Sequence, residues 1–175
     1  MNRTLKGVTL RQCDCRRSEG KVLVSVTLAN DSDRPLFVIP RVRRIQMDPD
    51  TGTLHLFFSG TGERPPVSGR FRTEFSSPRT TPLPERSEKT LTATLPEVMT
   101  QMFIREDGSY GFRPLDLREA RDVVVEVAVD DKPFYPSPAR KDRARQAAAW
   151  GTKLTARTAM ETGETAKCPP EPGKL

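Results

Sequence analysis

From Lys21 to Ala29 the chain sets Val22, Val24, Val26 and Leu28 on one side of an extended backbone and Lys21, Ser25 and Thr27 on the other. Leu23 is the one apolar residue out of step. Successive side chains of a strand point to opposite faces, so this period of two buries one face and wets the other. Helical periodicity is nearly absent before residue 136, and any fold for the chain must therefore find a second layer to cover such strands.

Other segments follow the same logic. The Val22–Leu28 strand ends at Asn30-Asp-Ser-Asp-Arg-Pro35, where short polar side chains bond their own backbone and proline presets a turn. Leu36-Phe-Val-Ile39 runs on past Pro40 to Met47, and a proline inside a strand belongs to an edge or a bulge. Asp48-Pro-Asp-Thr-Gly52 is a hairpin turn, with Gly52 free to adopt positive φ. The returning strand is Thr53–Phe58, closed by Ser59-Gly-Thr-Gly62. Residues 63–87, rich in Pro, Ser, Arg and Thr, read as a long surface excursion with one short strand near 69–75, anchored by Phe71 and Phe75. Leu91, Ala93 and Leu95 alternate with threonines as a further strand, whereas residues 97–104 suit either a strand or a helix. Residues 115–121 read as a helical turn or a loop. Asp122–Val129 is apolar on both faces and belongs at a sheet centre.

Seven or eight short strands divided by Pro and Gly turns predict an all-β fold, an antiparallel β-sandwich, over residues 1–136. The Val22–Leu28 strand, the Asn30–Pro35 turn and the Val123–Val129 closing strand resemble the immunoglobulin-like accessory domains of bacterial proteins. The resemblance implies a fold and carries no activity. The paired cysteines and core tryptophan of antibody domains are missing from it, since Trp150 lies beyond the last strand.

After Pro136 the pattern changes. Ser137 and Pro138 read as an N-cap and first helical residue, followed by the strong helix formers of Ala139–Ala149. The spacing predicts a basic helical extension over residues 137–161 and a disordered tail over 162–175. The net charge is +6, and residues 137–160 hold six Lys or Arg against one Asp, most of that excess. Arg140, Lys141, Arg143 and Arg145, with Trp150 and Leu154 four residues apart as an apolar contact, form the candidate partner-binding set. The alternative is a solvated basic helix that merely docks Trp150 on the sandwich. Arg41 and Arg43 share one strand face and Arg44 the other; cations on an edge strand also deter edge-to-edge pairing.

Catalytic patterns are weak. His55, the single histidine, sits between Leu54 and Leu56 with no nucleophile-elbow sequence, and reads as a half-exposed strand residue. Cys13, Cys15, His55 and Cys168 are ligand types for zinc, but one Cys-x-Cys without a second close pair is not a zinc spacing. Asp48 and Asp50 open like a calcium loop, yet Gly52 and Ser59 stand at its fifth and twelfth positions. Three cysteines fit a disulfide framework poorly, and no apolar stretch follows the basic N-terminus, so the expectation is reduced thiols in the cytoplasm.

The expectation is thus a non-enzymatic accessory, adaptor or assembly protein without metal or cofactor, with no membrane span, whose partner is another protein or a second copy. The alternative is a binder of nucleic acid or an anionic surface through the basic C-terminal helix.

Overall fold

The structure, a computed structural model, describes residues 5–62, 76–107 and 109–162. Ten strands precede the helical segment: β1 Val8–Ser18, β2 Lys21–Asn30, β3 Leu36–Val38, β4 Arg44–Asp48, β5 Thr53–Phe58, β6 Thr81–Leu83, β7 Ser87–Pro96, β8 Val98–Ile104, β9 Tyr110–Asp116 and β10 Asp122–Asp130. A 3-10 turn, Arg140–Asp142, then leads into helix α1, Arg143–Ala149, followed by β11 Thr152–Ala159 and β12 Glu161–Thr162.

The first sheet has the order β12-β1-β2-β7. Its β1–β2 hairpin turns on Glu19 and Gly20, both at positive φ (52° and 73°), the primed geometry that follows the twist of the flanking strands. The second sheet runs β4-β5-β10-β3-β6, with β11 also on β10. Val129 pairs with Val38 of β3 and with Thr152 of β11, so these two strands occupy opposite edges of β10. The β8–β9 hairpin forms a separate two-stranded sheet.

One apolar core joins the two larger sheets. Val22, Val24, Val26 and Leu28 of β2, all buried as their alternation requires, share it with Leu54, Leu56 and Phe58 of β5 and with Val123, Val125 and Val127 of β10. Each such side chain is stabilised by about 1.5–3 kcal/mol on leaving water. Among the described residues the fold is mostly β, in several sheets, with one short α-helix. Among the described residues no helix is long and apolar enough to cross a membrane.

Several expectations are corrected. Twelve strands appear among the described residues in place of seven or eight. The sheets are mixed: β10 runs parallel to β5 and β12 parallel to β1, whereas an antiparallel sandwich was expected. The Leu36–Met47 run divides at Pro40, and β3 and β4 are not neighbours, although β4 does lie at an edge. The Asp48–Gly52 turn forms as expected, with Gly52 at φ 68° donating to the Asp48 carbonyl at 2.9 Å. The expected helix through residue 161 holds only over Arg143–Ala149. Ser137 does not cap it, since the cap of the 3-10 turn is Ala139 with no side-chain bond. Gly151, at φ 77°, turns the chain so that β11 pairs residue for residue with the whole of β10 from Asp122 to Val129. Eight consecutive strand pairings outweigh the high helix propensities of Lys153, Ala156 and Arg157. The strand expected near 69–75 and residues 163–175 of the tail lie outside the described residues.

Candidate functional site

The basic segment is held against the end of the second sheet. Ala144 and Ala147 are fully buried, and the helix comes so close to Gly60 that a Cβ there would collide with the Ala147 carbonyl. Gln146 ties the preceding loop down, accepting from the Ser137 N–H and donating to the Tyr135 carbonyl, both at 2.7 Å. Arg143 Nε donates to the Ser137 carbonyl at 2.8 Å.

This geometry divides the six residues singled out in the sequence. Arg140, Lys141 and Arg145 are exposed, and among the described residues none of the three has an ion-pair partner. Arg143 is half-buried and serves the loop. Trp150 ends the helix with an extended backbone and meets Phe134 edge-on, ring centroids 6.4 Å apart. Leu154 sits on β11 opposite Val127 and packs against the core. Trp150 and Leu154 therefore do not form the helical contact their spacing predicts, because a tight glycine turn separates them.

The outer face of the second sheet carries a polar cluster. Glu126 on β10 accepts the Ser59 hydroxyl at 2.7 Å and also the Thr61 hydroxyl. Ser59 is fully buried, so its hydroxyl fastens the turn after β5 and meets no solvent. Lys153 donates to the Trp150 carbonyl, and its burial pushes the ammonium pKa down against the opposing pull of Glu126 and Asp130. His55 stacks on Phe57 at 6.3 Å, and Arg44 lies over the other end of that row, 5.5 Å from the Phe57 ring.

Cys13 and Cys15 are both free. Cys15 is buried with its sulfur 3.3 Å from that of Met160, and burial, then the neighbouring Cys13, pushes its thiol up to about 12. A thiol held so far above neutrality is a protonated packing group and not a nucleophile. Among the described residues no three His, Cys, Asp or Glu side chains converge as metal ligands.

The surface that sequence reasoning missed is the β8–β9 hairpin. Its inner face is anchored: Met99 and Leu115 pack on the core, and Gln101 Nε2 donates to the Ile45 carbonyl at 3.1 Å. Phe103 lies across Gly111, where any Cβ would strike the ring, with the Arg113 guanidinium 5.4 Å from its centroid. The outer face holds Val98 and Met102, each 50% exposed, and Phe112, 69% exposed. Met102 and Phe112 stand directly opposite one another, and Thr100 opposes Pro114. At the hairpin's base Arg118 bonds Asp116 through two oxygens and holds that carboxyl down at about 2. Period two at Val98, Thr100 and Met102 was the available signal, but the same residues also fit a helix.

A shallow groove of about 420 Å³ crosses the outer face of the first sheet, lined by Asp14, Arg16, Leu23, Ser25, Thr92 and Glu161 among others. No protein-family model matches the chain, and no curated protein or solved structure matches it either.

Proposed function

We propose that the chain is a non-catalytic binding module, an immunoglobulin-like β-sandwich that works as an accessory or assembly protein by contacting another protein. The observation that carries this reading is the apolar outer face of the β8–β9 hairpin. Val98, Met102 and Phe112 are presented on one side of a two-stranded ribbon whose other side is fixed to the core. An exposed apolar patch of this kind is often a contact site, the largest on a typical monomer being roughly 300–600 Å². Phe and Met are among the residues enriched where protein surfaces meet. The free thiols of Cys13 and Cys15 support a reducing, cytoplasmic setting.

A second reading rests on Arg140, Lys141 and Arg145, whose exposed cations suit an anionic surface or nucleic acid. The two are separable by affinity capture with the full chain. Cutting the chain after Pro136 would remove β11 and unpair β10, so point variants are required. Met102→Ser with Phe112→Ser is expected to abolish capture, with an unchanged circular dichroism spectrum, while Arg140→Glu with Arg145→Glu leaves it intact. Capture lost only with the arginine variant, and falling steeply with salt, transfers the function to the helix.

A further inference from the structure

The edges of the sheets are protected unequally. Among the described residues, β12 offers two residues, β6 offers three with Pro82 at its centre, and β4 offers five, its Ile45 carbonyl already accepting from Gln101 Nε2. β1 beyond its two pairings with β12, and β11 on its side away from β10, lie close to one another, and β8 and β9 have outer edges of seven residues each. The longest edge with no strand beside it among the described residues is β7. It is ten residues long, pairs with β2 from Ser87 to Pro96 without a register shift, and meets no described strand on its outer side. Long edges are normally blunted by a bulge, a proline or clustered lysines. Between Thr90 and Leu95 this strand has none of them; Lys89 and Pro96 lie towards its ends. Its outward residues Thr90, Thr92 and Thr94 are exposed β-formers, and the Thr90 hydroxyl is already aligned with that of Thr27 at 2.9 Å.

We propose that β7 is a self-association edge, at which a second copy of this chain adds its own β7 antiparallel and joins the two four-stranded sheets into one. The side-chain pattern selects the occupant. Antiparallel partners must share a face, which permits a register placing Leu91 opposite its own counterpart. Thr90 then opposes Thr92, Glu88 opposes Thr94, and Lys89 opposes Ala93. Hydroxyls meet hydroxyls and no like charges face one another, the condition for a favourable cross-strand pair. The Glu88 carboxylate is already partnered by Arg11 at 3.1 Å, which lowers the charge carried into the joint. The surface is distinct from the β8–β9 hairpin, and its test is independent of the function proposed above.

The experiment is sedimentation velocity of the full chain over a wide concentration range, with hydrogen exchange at the β7 amides. A concentration-dependent dimer is expected, in which β7 amides gain protection as dimer forms. Thr90→Lys with Thr92→Lys puts lysine opposite lysine at both positions, and the dimer should weaken at least tenfold. Thr90→Glu with Thr92→Lys puts opposite charges there, and association should return. Phe112→Ser should change nothing. A chain monomeric at every concentration, a dimer indifferent to the double-lysine variant, β7 amides protected equally at all concentrations, or a dimer dissolved by Phe112→Ser would each overturn the proposal.

Discussion

Asn30 is fully buried at the end of β2 and joins the two layers through one amide. Its Nδ2 donates to the carbonyls of Arg34 at 2.9 Å, Pro84 at 3.0 Å and Leu83 at 3.1 Å, while Oδ1 accepts from the Ser32 N–H at 3.0 Å and the Ser32 hydroxyl at 2.6 Å. Asn30→Ala deletes both donors and the acceptor and leaves those groups to find water at a site with little of it. Each buried polar group left unpaired costs about 1–3 kcal/mol. Ser32 and Arg34 lie near enough to solvent to recover part of this, and the Pro84 carbonyl keeps the Ser87 hydroxyl at 2.7 Å, so the buried Leu83 carbonyl dominates. The expected loss is about 2–3 kcal/mol, a large share of the roughly 5–15 kcal/mol that holds a domain folded. Urea unfolding followed by Trp150 fluorescence and by far-ultraviolet circular dichroism measures it, as a lower midpoint at unchanged slope. A loss under about 1 kcal/mol would refute the reasoning, because it would mean that these carbonyls are satisfied without Asn30.

Gly60→Ala should displace α1, since the added Cβ meets the Ala147 carbonyl; a cost of about 1–3 kcal/mol is expected, read as a lower melting temperature. Cys15 should resist alkylation in the native protein and react at the ordinary rate once unfolded, which mass mapping after timed iodoacetamide treatment checks. Because its thiol rises from 9.0 to about 12, the fold is unaffected below pH 9 and loses stability as pH climbs from there towards 12, where unfolding favours the thiolate. Asp116 titrates at about 2 instead of 3.8, so its contribution is complete above pH 4 and disappears as pH falls through 2; Arg118→Ala should return the carboxyl towards its ordinary value in a proton-resonance titration.

The strands legible in the sequence were those whose burial is recorded in their own residues. Val22 to Leu28 alternates, Val123 to Val129 is apolar on both faces, and both sit where that pattern requires. β11 was not legible, because Lys153, Ala156 and Arg157 carry no strong period and only the open edge of β10, distant in sequence, makes them a strand. The Glu19-Gly20 turn between β1 and β2 lacks the Asn or Asp that marks such turns. At the surface, the cations of Arg140, Lys141 and Arg145 could be counted in advance. Whether Val98, Met102 and Phe112 face core or water depends on what covers the hairpin, which local pattern does not record.

The last described stretch passes from one layer to the other. β11 completes the second sheet, Met160 donates its N–H to the Arg121 carbonyl at 2.8 Å, and Glu161 then pairs with Arg16 in the first. During synthesis, β10 therefore waits with a bare hydrogen-bonding edge while residues 131–162 are added, an interval of about two to six seconds at ordinary elongation rates. For that time the nascent chain carries an unpaired strand edge, a template on which neighbouring chains can pair, until the last stretch closes over it.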